Sequence, residues 1–470
     1  MFAEFSLSND LTDQFNKLLL AEEVSLEVLM EVLRRISVCV VSSNTIEILS
    51  RVIDKVSDTK INLSDFSELY PSQPDFELKV LELFSSRKAD QISVLEINGG
   101  ENSSNPPRLE KKMWTEIAKL KKLEKISITK QKFFLEDLMK MCKGLSSLRE
   151  IRVLIDSKSQ CPTDDPNFAQ EFSKIFGMLK EFVYAPIGQT EQKESFMLKL
   201  TNFGIEHLPN ANKIISEDHF CDMSEGCKKM AQTSQLQHVQ LDAMNLEEVA
   251  LNFDKFHSVR SLEFDWGERK VTDFDYTKSK KKLSSLKGFK SLTHLKFVDL
   301  SSIDYLTRIL SFVGSSLIDL RLDYTPDNSK IMVVDLKLIQ SKCPKLKHLE
   351  ITETGVDDSE PMASFKSLRE LEIAFKSDLR NKVKLSNILH APNLEKVRLS
   401  GILVTKEEMQ LIVRLIRKKA ILTRIKSLIL TLDGNQRAEM KQIIENEGRS
   451  FLRAVSTARK IKEENIKFDF

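Results

Sequence analysis

Glycine and proline are scarce in this chain of 470 residues, with 14 and 12 copies, so we expect few flexible linkers. The six cysteines are dispersed, which favours reduced thiols in an intracellular compartment, cytoplasmic or nuclear, over a disulfide framework. Lys and Arg number 71 against 69 Asp and Glu, so charge gives no reason to expect nucleic acid or a membrane as partner. No run approaches about 18 apolar residues, and no signal-like start is visible, so neither a membrane span nor a signal peptide is predicted.

Catalytic motifs are also absent from the sequence. It contains no G-x-S-x-G turn, no P-loop, no G-x-G-x-x-G and no H-E-x-x-H. His219, Cys221 and Cys227 form an H-x-C-x5-C cluster, but that spacing is too wide for a typical zinc site and a fourth ligand is missing. We therefore expect neither an enzyme nor a bound cofactor or metal.

One apolar phrase, Leu-x-x-Leu-x-x-Leu-x-Leu, returns along the chain. Its third apolar position recurs from Ile36 to Leu428 at an average spacing of about 28 residues. The gap of 57 residues between Phe182 and Val239 is twice the usual spacing, so residues 185–225 are predicted to hold one worn repeat. The clearest copies are Leu120-Leu123-Ile126-Ile128, Leu145-Leu148-Ile151-Val153, Phe289-Leu292-Leu295-Phe297, Phe365-Leu368-Leu371-Ile373 and Ala391-Leu394-Val397-Leu399. Such self-similarity predicts a repeat protein.

The segments after the phrases have helical periodicity. Lys132–Met141, Ile303–Val313 and Lys406–Lys418 carry apolar residues near i, i+3, i+4 and i+7. Thr405, followed by two acids, is typical of a helix N-cap. Strand followed by helix, repeated, predicts a curved array with parallel strands inside and helices outside, since helices are wider than the strand spacing.

Three segments resemble a known family. Met141–Ile151, Cys343–Ile351 and Ala391–Leu399 are similar to the C-P-x-L-x-x-L-x-L opening of F-box-associated repeats. The chain thus resembles the leucine-rich repeat superfamily, in particular the ribonuclease-inhibitor-like and F-box-associated class of long repeats. The resemblance implies an α/β leucine-rich repeat solenoid with helical caps. The Asn or Cys that usually ends each phrase is mostly missing. The backbone N–H and C=O groups of the turn that follows must therefore find other hydrogen-bond partners.

The repeats divide the chain into three predicted parts. Residues 1–60 are a helical N-terminal cap or worn repeats, residues 61–432 are the repeat array, and residues 433–470 are a C-terminal helical cap. Within the last part, Arg437–Ile461 is predicted to be helical, and Phe468–Phe470 to add an edge strand.

Residues 1–60 allow three interpretations. They are a cap with worn repeats, a degenerate F-box-like adaptor domain, or an unrelated small helical domain. The F-box motif itself is not visible, because the segment has no Trp and no Pro precedes Pro71. The helices predicted here are Leu11–Leu20, Leu26–Ile36 and Ile46–Val56.

Side chains on the inner face of the array follow from strand alternation, because the neighbours of the apolar residues point away from the core. From Asp242 to Glu372 these neighbours include eight acids against Lys296 and Arg321, and Lys396 and Arg398 follow on the same face in the last repeat. We predict an acidic strip that binds a basic segment of a partner protein, although ordinary solvated strand residues would look the same. The partner-binding candidates are Asp242, Glu263, Asp265, Asp319, Asp323, Glu350, Glu370 and Glu372.

The corresponding residues of the early repeats have mixed charge. They are Glu96, Lys125, Ser127, Glu150, Arg152, Glu181 and Val183. In the later repeats three histidines occupy the same position of the phrase: His238, His294 and His348. Sequence drift between copies of a repeat explains this as well as a pH switch does. The basic run Lys278–Lys282 is interpreted as a solvated loop, and nucleic acid is not an expected partner.

These observations predict an intracellular scaffold that binds a protein on the concave face and rim loops of the solenoid. The alternative is the substrate-recognition subunit of a cullin-type ubiquitin ligase, which would dock a ligase subunit through residues 1–60. A third possibility by resemblance, an activator of a small GTPase, needs an exposed Arg on a rim loop.

Overall fold

The computed structural model describes residues 9–37, 42–71, 73, 75–99, 105–159, 165–217, 220–243, 255–266, 284–300, 302–324, 333–357, 359–375, 384–432, 453–455 and 466–469. The chain forms two compact units, Met1–Leu236 and Gln237–Phe470. We refer to them as the N-terminal unit and the C-terminal unit. Each is an α/β structure with its own parallel sheet.

The sheet of the N-terminal unit has six strands in chain order, and every neighbouring pair is parallel. The strands are β1 Lys60–Asn62, β2 Val94–Ile97, β3 Lys125–Phe133, β4 Glu150–Asp156, β5 Glu181–Ile187 and β6 Lys213–Ser216. The helices are α1 Asn9–Leu20, α2 Leu26–Ser37, α3 Ser42–Val52, α4 Leu63–Ser67, α5 Asp75–Arg87, α6 Lys111–Ile117, α7 Leu135–Cys142, α8 Pro166–Phe176, α9 Thr190–His207 and α10 Ser224–Lys229.

The sheet of the C-terminal unit is also parallel throughout. Its strands are β7 His238–Asp242, β8 Ser261–Asp265, β9 His294–Val298, β10 Asp319–Asp323, β11 Val333–Asp335, β12 His348–Asp357, β13 Glu370–Phe375, β14 Lys396–Ile402, β15 Ser427–Leu432 and β16 Ile466–Asp469. They follow chain order, except that β10 is next to β12 and β11 pairs with the far part of β12. The helices are α11 Ile303–Val313, α12 Leu336–Lys342, α13 Leu385–Ile388 and α14 Lys406–Arg417.

The recurring phrase corresponds to one recurring backbone structure. Its first part is a tight turn, in which the Leu123 amide donates to the Leu120 carbonyl at 3.1 Å. Its second part begins a strand, where the amides of Arg149 and Glu150 both donate to the Glu124 carbonyl at 2.7 and 2.9 Å. The same double acceptor recurs at the carbonyls of Thr59, Ser93, Arg149, Lys180, Gln237, Arg260, Thr293, Ile318, Lys347, Arg369 and Glu395. Each repeat thus fixes the start of the next strand.

Helices pack against one face of the sheet, as α8 and α9 illustrate. The Phe182 ring of β5 lies 6.3 Å from Phe172 and 6.0 Å from Phe176, between ring centroids. The Tyr184 hydroxyl donates to the Met197 carbonyl of α9 at 2.8 Å. Burial of such rings contributes about 1.5–3 kcal/mol each. The alternate strand residues lie on the opposite side of the sheet, which we call the outward face.

Most predicted helices are confirmed. The helix Ile303–Val313 has the predicted bounds, and α14 ends one residue before the predicted Lys418. The hydroxyl of Thr405 accepts a hydrogen bond from the Glu408 amide at 3.2 Å, as an N-cap does. The three helices predicted before residue 60 correspond to α1, α2 and α3.

The segment 185–225, where one worn repeat is predicted, contains strand β6, whose Ile214 is in register with Phe182 of β5; that this segment is a repeat stays a prediction. The repeat marker at Ile36 is wrong, since that residue lies in α2. Leu29 and Leu33 of α2 are fully buried one helical turn apart. This helical spacing explains why the segment forms a helix and not the strand that the marker at Ile36 implies.

The chain end has the predicted edge strand, β16, which pairs with β15. Most of the predicted helix Arg437–Ile461 lies outside the described residues. The division at residues 60 and 432 stays a prediction.

Gly401 gives a first testable prediction. It lies in β14 at φ 68°, and a Cβ there would be 2.6 Å from the Phe375 carbonyl oxygen. We expect Gly401→Ala to lower the free energy of unfolding by about 1–2 kcal/mol, as measured by urea unfolding. The control is Gly144→Ala, where the new methyl would meet only the mobile end of the Lys121 side chain. Equal losses for the two variants would contradict the argument.

Candidate functional site

A groove of about 1100 Å³ lies on the outward face of the N-terminal unit. Its floor is formed by outward side chains of β3, β4 and β5. Pro106 and Pro107 stand on one side, and Lys193 of α9 and Lys213 of β6 also line it. The groove therefore belongs to the face that the sequence predicts to be available for binding.

The deepest part of the floor is apolar. Leu154 of β4 and Val183, Ala185 and Ile187 of β5 line the groove. Val183 and Ala185 are only 7% and 4% exposed, although they alternate with the core residues of β5. Little of their surface is therefore exposed to solvent.

An ion pair between Arg152 and Glu217 borders this apolar floor. Arg152 Nε lies 2.8 Å from Glu217 Oε1 and 3.0 Å from Oε2. Arg152 is on β4, and Glu217 follows β6 with its amide bonded to the carbonyl of Tyr184 in β5. Because β5 lies between β4 and β6, the pair joins the segments on the two sides of β5.

The Arg152 guanidinium has unused donors. Glu217 contacts only its Nε, and no described residue accepts a hydrogen bond from Nη1 or Nη2. The Arg152 side chain is 55% exposed. A guanidinium carries five N–H donors in a planar arrangement, so its terminal nitrogens can bind a further anion.

Two further ion pairs near the groove join neighbouring strands. Lys125 pairs with Glu150 at 2.8 Å, and the hydrogen bond that Lys125 donates to Glu150 raises the pKa of Lys125. Lys60 pairs with Glu96 at 3.0 Å. The rim is thus polar and mixed in sign, in contrast to the apolar floor.

The eight predicted partner-binding residues all lie on strands of the C-terminal unit. Four of these acids have a basic partner on an adjacent strand. The pairs are Glu263 with Lys296 at 3.0 Å, Glu350 with Arg321 at 3.4 Å, Glu370 with Lys396 at 2.8 Å and Glu372 with Arg398 at 3.3 Å. These pairs offset part of the negative charge, and recognition of a basic segment stays a prediction.

Asp319 is the most buried of the eight, with 8% exposure. Its Oδ2 lies 2.5 Å from His348 Nδ1, and its Oδ1 lies 3.1 Å from Arg321 Nε. Burial opposes ionisation of Asp319, but the hydrogen bonds and charges of His348 and Arg321 outweigh it and lower the pKa of the carboxyl. The hydrogen bond with Asp319 raises the pKa of His348.

The remaining three acids lie at the ends of their strands. Asp242 of β7 and Asp265 of β8 are in direct register. Asp323 of β10 accepts a hydrogen bond from the Thr352 hydroxyl at 2.6 Å. The structure thus places the three carboxylates along one edge of the outward face.

The other sequence candidates offer no chemistry in the described part of the chain. Cys221 and Cys227 are buried, and burial raises the pKa of Cys221 to about 12 and also raises that of Cys227. No group of three His, Cys, Asp or Glu residues suited to a metal occurs among the described residues. His219 and Lys278–Lys282 lie outside them.

Sequence reasoning missed the apolar floor. It named Arg152 and Val183 as outward residues but not Leu154, Ala185 and Ile187. A signal was present: β5 reads EFVYAPI, with apolar residues at positions of both faces. A strand that is apolar on both faces has a second surface to bury.

Comparison with models of known protein families gives no match. Comparison with curated proteins gives no match either. Within the described ranges, no helix has the length and apolarity needed to cross a bilayer.

Proposed function

We propose that the protein is a leucine-rich repeat solenoid that binds a partner protein on the outward faces of its sheets, without catalysis. The repeated double-acceptor carbonyls and the parallel strands in chain order within each unit support the repeat architecture. The resemblance of the phrases to long leucine-rich repeats supports it independently. Solenoids of this kind typically use an extended strand-lined surface for recognition.

The observation that carries the proposal is the groove of the N-terminal unit. Protein interfaces combine a desolvated apolar centre with a polar rim. Val183 and Ala185 supply such a centre, and the ion pairs around them supply such a rim. The C-terminal unit adds a polar face of paired charges. Such charges set the orientation of a bound partner more than they raise its affinity.

A second candidate is the ligase-adaptor function of residues 1–60. Leu20 of α1 and Val28 of α2 are large apolar residues with 84% and 52% exposure. Exposed apolar residues on adjacent helices favour a docking surface. Co-purification of a cullin-adaptor subunit, lost in the double variant Leu20→Asp with Val28→Asp, would support this candidate.

The test of the main proposal is affinity purification with mass spectrometry of three full-length proteins. They are the wild type, Leu154→Glu in the groove and Met178→Glu outside it. Met178 belongs to the same unit and is 54% exposed. Met178→Glu therefore introduces the same charge as Leu154→Glu, but outside the groove. We expect the partner bound by the wild type and by Met178→Glu to be lost with Leu154→Glu, since a charge at an apolar position that the partner desolvates costs about 2 kcal/mol or more.

The folded state of each variant is checked by circular dichroism before capture. If Leu154→Glu folds and still captures every partner of the wild type, the groove is not the binding site and the proposal fails.

A further inference from the structure

We propose that the groove binds an extended acidic segment of the partner protein. In this segment an Asp or Glu carboxylate pairs with Nη1 and Nη2 of Arg152, and an adjacent aliphatic side chain contacts Leu154, Val183 and Ala185. The inference rests on the proposed function, since it specifies the partner of the same face. It follows from the orientation of Arg152, the charges around it and the dimensions of the groove.

Glu217 orients the Arg152 guanidinium. Both carboxylate oxygens of Glu217 lie within 3.0 Å of Nε, so one edge of the planar group is occupied. The remaining edge, with Nη1 and Nη2, has the geometry that binds a carboxylate through two parallel hydrogen bonds. A donor pair held in place before binding loses less entropy than a free arginine does.

The acids nearest to Arg152 favour a carboxylate over a phosphate, although the groove as a whole is lined by four glutamates and five basic residues. Glu217 contacts Arg152 directly, and Glu150 lies two residues before it on the same face of β4. A phosphate group carries about −1.5 to −2 charges at neutral pH, so these acids repel it more strongly than a single carboxylate. Lys213 lines the same groove, has no ion-pair partner among the described residues, and adds a positive charge for an acidic ligand.

The dimensions favour an extended chain. The volume of about 1100 Å³ exceeds the range of about 300–1000 Å³ that is usual for small-molecule sites. From β3 to β6 the face spans three strand spacings, about 14 Å, which four or five extended residues cover. Above β5 the small side chains of Val183 and Ala185 leave depth for a branched aliphatic residue.

The experiment uses synthetic fluorescent octapeptides and full-length protein, with binding followed by fluorescence polarisation. One series places Leu or Ile next to Asp or Glu, a second replaces the acid by Asn or Gln, and a third replaces it by phosphoserine. The proteins are the wild type, Arg152→Gln and Arg34→Gln. Arg34 is the matched control, because its side chain is also 55% exposed and also pairs with a glutamate.

We expect the acidic series to bind the wild type and Arg34→Gln equally, and Arg152→Gln at least about tenfold more weakly. Equal binding of the amide series would overturn the role of the carboxylate. Stronger binding of the phosphoserine series would overturn the choice against phosphate, and no binding of any series would overturn the inference as a whole. The proposed function is tested separately, since Leu154→Glu can still remove a captured partner when every peptide fails.

Discussion

Phe182→Ala is expected to lower the free energy of unfolding by about 3–5 kcal/mol. The Phe182 ring is fully buried and lies within 6.3 Å of Phe172, Phe176 and Tyr184, between ring centroids. Removing it leaves a cavity at the point where α8 meets β5, and three rings lose a packing partner at once. Urea unfolding followed by circular dichroism measures the loss.

The control for this prediction is Met178→Ala. Met178 is 54% exposed, so its truncation is expected to change the free energy of unfolding by no more than about 0.5 kcal/mol. A loss below about 1 kcal/mol for Phe182→Ala would show that α8 and β5 do not share a rigid core.

Phe182 also connects the core to the groove. It precedes Val183 on β5, so the two side chains lie on opposite faces of one strand. Loss of the ring is therefore expected to weaken binding in the groove as well as stability, whereas Leu154→Glu is expected to affect mainly binding. Measuring both properties for both variants separates the roles of the two faces.

Much of the fold was predictable because local patterns and tertiary structure agree. The spacing of Leu145, Leu148, Ile151 and Val153 predicts a turn followed by a strand with alternating buried and exposed side chains. The structure contains both the turn and the strand. The wrong repeat marker at Ile36 has a physical reason, because a short apolar run fits a helix as well as a strand. The helical spacing of the apolar residues of α2 favours the helix.

The site was less predictable because its parts are distant in sequence. Arg152 and Glu217 are separated by 65 positions, and only the register of β4, β5 and β6 brings them together. In the acidic strip, periodicity places Lys396 and Arg398 on the same face as Glu370 and Glu372, but that they pair follows only from the register of β13 and β14. Periodicity assigns a side chain to a face of the sheet and leaves its partner on another strand open.

Asp319→Ala is expected to lower the free energy of unfolding by about 2–3 kcal/mol near neutral pH. The Asp319 carboxylate is the acceptor for both His348 and Arg321, and Arg321 also contacts Glu350 at 3.4 Å. Without Asp319, the half-buried His348 ring loses its acceptor, and Arg321 keeps only the longer contact. Urea unfolding over a range of pH measures this loss.

The pH dependence follows from the sign of each pKa shift. The pKa of His348 is raised in the folded protein, so its contribution is complete below about pH 6.5, the unfolded value, and is lost as pH rises through the higher folded pKa. The pKa of Asp319 is lowered, so its contribution is present above about pH 3.9 and is lost as pH falls through the lower folded pKa. The His348–Asp319 pair is therefore expected to stabilise the protein most between these two limits.

His348→Gln should remove the loss of stability on the alkaline side, and Asp319→Ala should remove both slopes. His294→Gln is the matched control, because His294 takes the same place in the phrase but its Nδ1 lies 2.8 Å from the Thr293 hydroxyl instead of a carboxylate. We expect His294→Gln to keep the slope of the wild type. If it flattens the curve as much as His348→Gln does, the slope cannot be assigned to the contact with Asp319.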